Sequence, residues 1–331
     1  MGITNCIDAG TPYCPCYLAE TGECIMCSQL QGEVFCACLN WQGVCIYQEY
    51  IWHNSRRRED RQIALYEILN CTPRGTNVII ARIQVELSLA RELKQPGAYV
   101  FLRAPYNPEF FDLPMSILQA DESSGIIEIA VQKRGVKTKC LLEKLAEGKV
   151  FLRGPYWNGI LGLKHLKTQQ KGKTILVVRG IGQAPAVSVA RKLRQGANEV
   201  LVLLDKGRTK ADFTGPLFQE LGCTVEYINL LNPQDWSLTE KAAVYLKKYL
   251  TKTKCDLLYA GGSDLLHQQI FDLLISLKQK IKFVCSNNAQ LCCGEGVCGS
   301  CQTRLTDGRR VKRCKTQLEP ASIYQGGETN G

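Results

Sequence analysis

The sequence contains no apolar run approaching the roughly 18 residues needed to cross a bilayer, so no membrane span is expected. Its first residues, MGITNCIDAG, carry no charged leader followed by an apolar block; a secretory signal is not expected, and the chain is placed in the cytoplasm. Histidine is scarce: His53, His165 and His267 are the only three, which leaves few candidates for a proton shuttle. The net charge is +10, yet the basic residues are spread along the chain apart from Arg56-Arg57-Arg58 and Arg309-Arg310-Val311-Lys312-Arg313. No nucleic-acid module signature accompanies them, so nucleic-acid binding is not expected. A basic surface that meets an acidic partner or an anionic cofactor is the expectation instead.

What the sequence does have is sulfur. Eighteen cysteines lie among 331 residues, a length that suits about two or three domains, and 45% hydrophobic with 22% charged residues is a globular composition. A chain without an export signal is expected to keep its thiols reduced, which favours metal ligation over disulfides. Cys6, Cys14, Cys16, Cys24, Cys27, Cys36, Cys38 and Cys45 crowd one end, and Cys285, Cys292, Cys293, Cys298, Cys301 and Cys314 crowd the other. Cys71, Cys140, Cys223 and Cys255 lie between them among apolar neighbours, as inert buried thiols would.

The C-terminal group has a specific spacing. Cys293-x4-Cys298-x2-Cys301, followed by Cys314, is the plant-type arrangement that holds a [2Fe-2S] cluster. Gly294, Gly296 and Gly299 allow tight turns with positive φ, so that backbone N–H groups can face the sulfurs and offset their charge. A hairpin turning at Asp307-Gly308 would return the chain to the cluster at Cys314. A zinc ribbon would prefer two Cys-x2-Cys pairs, and this region has one.

The middle of the chain supplies a nucleotide signal. The β-branched run Lys173–Arg179 leads through Gly180-Ile181-Gly182-Gln183-Ala184-Pro185 into a helical pattern, the strand–glycine–helix order of a pyrophosphate site, although the third glycine of the Rossmann fingerprint is missing. The next strand ends at Asp205, where a nucleotide ribose would lie. Asp205 would favour a free 2′-hydroxyl and NAD(H), whereas Lys206, Arg208 and Lys210 would favour a 2′-phosphate and NADP(H). A further strand runs into Gly261-Gly262-Ser263-Asp264 and another helix. A parallel α/β domain is therefore expected over 171–288.

Between 72 and 168 the texture is one of short alternating strands, which predicts a small antiparallel barrel. FLRAPY at 101–106 and FLRGPY at 151–156 echo each other and are expected to be two similar barrel strands with structural arginines.

Barrel, nucleotide domain and C-terminal cysteine loop in this order resemble the ferredoxin reductase superfamily over about residues 72–320, in particular the electron-transfer subunit of dihydroorotate dehydrogenase and the small subunits of sulfide dehydrogenase and NADH-dependent ferredoxin:NADP oxidoreductase. The resemblance implies FAD on the barrel, NAD(P)H on the α/β domain, a [2Fe-2S] cluster in a 289–331 module, and a larger catalytic partner subunit. Leu113-Pro114-Met115-Ser116 resembles the family's flavin-contacting Arg-Pro-x-Ser, with leucine in place of the arginine. Gly135-Val136-Lys137-Thr138 resembles its phosphate-binding Gly-x-x-Thr, with Lys133, Arg134 and Lys137 as possible replacements for the missing charge. Gly180, Gly182, Gln183 and Pro185 fall on its nicotinamide-nucleotide turn, with Arg179 where a glycine is usual, and Gly261 lies where relatives carry Cys-Gly-Pro. Hydride transfer to a flavin needs alignment more than proton shuttling, which agrees with the few histidines.

The first 50 residues lie outside that resemblance. Their eight cysteines would fill two four-thiolate sites, either zinc in a structural knuckle or an additional iron–sulfur cluster. Residues 51–71 are expected to form a linker or helix between this segment and the barrel. The function expected on these grounds is an electron-transfer subunit; the alternative is a non-catalytic iron–sulfur scaffold or redox sensor that has kept the reductase fold. The basic run at 309–313 predicts an acidic docking surface on the partner.

Overall fold

A computed structural model describes residues 5–37 and 43–325. The N-terminal segment contains a short strand, β1 (Asn5–Cys6), and two helices, α1 (Tyr17–Glu20) and α2 (Ile46–Trp52), around a small core of Ala19, Cys24, Leu30 and Ile46.

A closed antiparallel barrel follows. Its strands are β2 (Ile63–Arg74), β3 (Val78–Gln84), β4 (Tyr99–Arg103), β5 (Leu113–Asp121), β6 (Ile126–Gln132) and β7 (Lys149–Tyr156), with α3 (Leu87–Leu93) between β3 and β4 and α4 (Val136–Lys144) between β6 and β7. The order around the barrel is β2-β3-β6-β5-β4-β7. Alternating β-branched residues such as Ile83, Ile127, Ile129 and Val131 face inward and are fully buried, the pattern a half-buried strand requires. Register shifts at Ile68/Asn70, Tyr99/Phe101 and Ile117/Gln119 supply the local bends that help a six-stranded sheet close. The two echoed segments are neighbours, β4 pairing with β7 so that Phe101 faces Arg153 and Arg103 faces Phe151.

The third unit is a six-stranded sheet of order β11-β10-β9-β12-β13-β8. Its members are β8 (Ile160–Leu161), β9 (Lys173–Arg179), β10 (Glu199–Asp205), β11 (Thr224–Tyr227), β12 (Leu257–Gly261) and β13 (Lys282–Ser286), all parallel except β8 at the edge. Helices α5 (Leu163–Thr168), α6 (Gln183–Gln195), α7 (Gly215–Glu220), α8 (Glu240–Lys252) and α9 (Asp264–Leu277) flank it. Ile175 to Val178 of β9 are fully buried, as a central strand covered on both faces must be. The strand order reverses between β9 and β12, which makes the carboxyl ends of these two strands the switch-point crevice where such sheets bind ligands. Val78, Ile80, Leu118 and Ala130 on the outside of the barrel share one core with α6, so barrel and sheet are packed together.

The chain closes with the hairpin β14 (Gln302–Arg304) and β15 (Arg310–Lys312), then β16 (Thr316–Gln317) and α10 (Ala321–Tyr324). β16 pairs with β1, Cys6 opposite Thr316, so the two ends of the chain meet in one ladder. No helix among the described residues is long and apolar enough to cross a membrane.

Candidate functional site

The cysteine loop between Leu291 and Cys301 lies on the barrel beside an aromatic cluster in which Tyr99 stacks on Tyr156 (5.1 Å between centroids) and Phe101 meets Tyr156 edge-on (5.1 Å). Gly294 makes this approach possible. Its φ is +76°, and a Cβ there would lie 2.5 Å from the Tyr156 ring and 3.0 Å from the Phe101 ring. Arg153 fixes the loop from below: Nη1 donates to the Cys293 carbonyl at 2.9 Å while Nη2 pairs with Asp112 at 3.0 Å. Asp112 also pairs with Arg103 at 3.1 Å, so the two arginines of the echoed motif converge on one carboxylate.

Within the loop, Gly296 and Gly299 have φ of +78° and +74°. Backbone N–H groups of Glu295 and Cys298 donate to Cys293 Sγ at 3.3 and 3.5 Å, and the Cys314 N–H donates to Cys301 Sγ at 3.4 Å. Sharing of protons among the neighbouring thiols holds Cys314 protonated and lowers Cys293 and Cys301, Cys293 being helped also by its backbone donors. Cys293, Cys298, Cys301 and Cys314 are therefore one contiguous set. Cys292 is exposed, and Cys285 is fully buried in β13.

Cys6, Cys14, Cys16 and Cys24 line one small cavity with Met26, whose sulfur accepts the Cys6 N–H at 3.1 Å. Burial, followed by the charge of Cys16, pushes Cys14 up to about 12. Cys27 packs against the neighbouring apolar core, Cys36 is exposed, and Cys45 is the residue before α2. Cys38 lies outside the described residues. Among the described residues, no group of three or more histidine, cysteine, aspartate or glutamate side chains closes around a single metal-ion position.

A buried ionic cluster joins the two cysteine-rich ends. Arg61 pairs with Asp8 at 2.7 Å and Glu295 at 3.0 Å, and its guanidinium lies 4.0 Å from the Tyr13 ring and 4.3 Å from the Tyr156 ring. Lys315, wholly buried, pairs with the same two carboxylates. Nothing in local sequence pattern marks these four residues; the one cue is that Lys315 follows Cys314.

On the barrel, Pro114, Met115 and Ser116 are half-buried on β5, opposite Phe101, Val100 and Tyr99. Gly135 is the N-cap of α4, and the Thr138 hydroxyl accepts the Gly135 and Arg134 N–H groups at 3.0 and 2.9 Å. Lys137 donates to the Phe110 carbonyl, which ties α4 to the loop before β5. Lys133 and Arg134 line an open cleft of about 940 Å³ between barrel and sheet.

The opposite wall of that cleft is the switch point. Gly180, with φ +59°, opens the turn after β9, and Gly182 packs so closely on Gly261 that a Cβ would lie 2.4 Å from the Gly261 carbonyl. Gln183 is buried and internally spent, donating to the Ala211 carbonyl at 3.1 Å and accepting from the Thr214 hydroxyl at 2.9 Å; Pro185 is buried in the first turn of α6. Asp205 is buried and accepts from Arg179 Nε (2.9 Å), the Gly207 N–H (2.7 Å) and the Leu230 N–H (2.9 Å). Arg208 is exposed, its guanidinium 4.8 Å from the centroid of Trp236, a cleft residue that sequence pattern does not single out.

The basic run at 309–313 does not form the open patch expected of it. Arg313 is buried, Lys312 pairs with Glu23 and Arg309 with Asp307, because the hairpin turns these side chains back onto the chain; Arg310 stays exposed.

No protein-family model matches the chain. The electron transfer subunit of dihydroorotate dehydrogenase B (NAD(+)) from Clostridium acetobutylicum is 25% identical over 236 residues, 70% of this chain and 86% of the relative. The corresponding subunit from Enterococcus faecalis is 24% identical over 243 residues, 71% of this chain and 88% of its own length. Among solved structures, that of the NADH-dependent reduced ferredoxin-NADP oxidoreductase superposes with a TM-score of 0.61 at 20% identity, covering 78% of this chain and 87% of that one. Antiparallel barrel followed by parallel α/β sheet is the ferredoxin reductase architecture. The chain resembles that superfamily, and its particular likeness in sequence is to the electron transfer subunits of dihydroorotate dehydrogenase B.

Proposed function

We propose that the chain is the electron-transfer subunit of an NAD(P)H-dependent oxidoreductase, passing electrons from the nucleotide through FAD and a [2Fe-2S] cluster to a larger partner subunit. The observation that carries this is the docking of the Cys293–Cys314 set on the barrel through Arg153 and Tyr156, on the face that continues into Pro114–Ser116. When bound, the flavin takes two electrons as a hydride from the nucleotide and the cluster passes them on one at a time.

Cys293, Cys298, Cys301 and Cys314 would hold the cluster. The backbone N–H groups that already face Cys293 and Cys301 Sγ would offset the negative charge of the thiolates holding it. Pro114 and Ser116, on the Phe101–Tyr99 face of β5, would face the flavin, while the Met115 side chain turns to the barrel core; Gly135 with the start of α4 would take the phosphate end, where Lys133 and Arg134 provide the positive charge that Leu113 does not. Gly180 and Gly182 would receive the dinucleotide at the switch point. Cys6, Cys14, Cys16 and Cys24 offer thiolates for a further iron–sulfur cluster or for zinc.

A second reading, an iron–sulfur scaffold or redox sensor without flavin, is favoured by Leu113 and by the engagement of Lys137 with Phe110. Anaerobic purification followed by a visible spectrum and assays of released flavin, iron and acid-labile sulfide separates the two. The electron-transfer reading expects flavin together with iron and sulfide, and co-purification from the native source with a larger subunit. Iron and sulfide without flavin would establish the scaffold, and a chain that runs alone and reduces a small organic substrate would overturn the subunit assignment.

A further inference from the structure

The cleft between barrel and sheet contains a feature that sequence pattern leaves ambiguous: an acidic and a basic residue both stand where a nucleotide ribose would lie. The geometry resolves it. Asp205 Oδ2 already accepts two donors, Arg179 Nε and the Leu230 N–H, Oδ1 accepts the Gly207 N–H, and the residue is 6% exposed. A carboxylate that binds a ribose diol must present exposed, free lone pairs on both oxygens to it; Asp205 is buried, has both Oδ2 sites and one Oδ1 site occupied, and holds the end of β10 together.

The arginine that occupies Asp205 takes the place of the usual first glycine of the turn. With Nε committed, the Nη groups of Arg179 make no hydrogen bond among the described residues, and its guanidinium lies 5.8 Å from the Trp236 centroid. Arg208, 4.8 Å from the same ring, makes no ion pair among the described residues. Two guanidinium groups thus share one aromatic wall at the edge of the cleft, beside the Gly180 turn. Planar guanidinium forks match the oxygens of a phosphate dianion, and a neutral ribose hydroxyl gives them nothing to neutralise.

We infer that Arg179, Arg208 and Trp236 form a site for a phosphate on the ribose of the bound nucleotide, so that the chain selects a 2′-phosphorylated dinucleotide, NADP(H), over NAD(H), while Asp205 acts as the anchor that orients Arg179. The inference rests on the nucleotide-domain reading above and deepens it.

Calorimetric titration of the purified full chain with adenosine 2′,5′-bisphosphate, adenosine 3′,5′-bisphosphate and 5′-AMP at one ionic strength tests it, with flavin, iron and sulfide determined on the same sample. The 2′,5′-bisphosphate is expected to bind at least about tenfold tighter than 5′-AMP, which corresponds to one charge-assisted contact of about 1.4 kcal/mol, and tighter than the charge-matched 3′,5′ isomer. Arg208→Gln, a change at an exposed position that the fold tolerates, should bring the three ligands to similar affinities. Equal binding of the two bisphosphates, or tighter binding of 5′-AMP, overturns the inference and leaves the electron-transfer reading standing if flavin, iron and sulfide are present. Failure of all three to bind removes both the inference and the nucleotide part of that reading.

Discussion

Lys315 places its ammonium 2.8 Å from Glu295 Oε2 and pairs on its other side with Asp8, so the residue after Cys314 ties the cysteine loop to the N-terminal segment. With Arg61 on the same two carboxylates, two cations and two anions neutralise each other inside the protein. Removing one member leaves an uncompensated buried charge. Lys315→Met is expected to cost about 3–5 kcal/mol of unfolding free energy, measured by denaturant titration. A loss below about 1 kcal/mol would show that the cluster does not hold the N-terminal segment in place.

The same network sets an acid limit. Burial raises the Asp8 and Glu295 carboxyls, but the Lys315 and Arg61 charges outweigh it and hold both below the usual carboxylate range. A carboxylate depressed in the folded state contributes its stability in full above its unfolded value of about 4, and loses it as pH falls through the lower folded value. The denaturation midpoint should therefore fall steeply below about pH 4, and Asp8→Asn should show a shallower fall over that range. Parallel acid profiles for the two proteins would place the acid sensitivity elsewhere.

Gly294 is the point where the loop backbone comes closest to the aromatic cluster. Gly294→Ala combines a φ of +76° with a Cβ 2.5 Å from the Tyr156 ring, and both effects oppose the native loop. The expected cost is about 1–3 kcal/mol, seen as a lowered melting temperature and, on the proposed function, as faster release of iron to a chelator. Wild-type values for both would mean that the ring moves aside freely.

Cys301 is buried and accepts from the Cys314 N–H, so a serine there should keep the fold while removing a thiolate from the set. On the proposed function, Cys301→Ser loses the EPR signal of a reduced [2Fe-2S] cluster and delivery of electrons to a partner, while reduction of the flavin by NAD(P)H continues. An unaltered EPR spectrum would take Cys301 out of the ligand set.

Much of this architecture is legible in the sequence because its signals are local. The turn glycines of the cysteine loop, the strand–glycine–helix order at Gly180 and the alternation of Val78–Gln84 depend on neighbours a few residues away. Asp205 shows where locality ends. Its position at a strand end is readable, but its commitment to Arg179 depends on the parallel register that sets Arg179 against Asp205. The basic run at 309–313 fails for a similar reason: the hairpin decides which of its side chains meet solvent, and Arg313 does not. β2 carries Asn70, Cys71 and Pro73 without clear alternation, and its strand character comes from the two neighbours that clasp it. Of the Arg61 cluster only Lys315, next to Cys314, leaves a trace in the sequence, since no periodicity relates its members.

The pairing of β1 with β16 orders events in time. Asp8 and Lys315 are separated by 307 residues, so the thiols near Asp8 must wait for that length of chain before their ladder partner exists. At about 5–20 residues per second that delay is on the order of tens of seconds, and closing so long a loop adds an entropic cost that local folding does not meet. During the interval the N-terminal cysteines have neither β16 nor Lys315 beside them. Anything bound to them in a nascent chain is held by local contacts alone, and the cavity lined by Cys6 reaches its final shape only after β16 has been made.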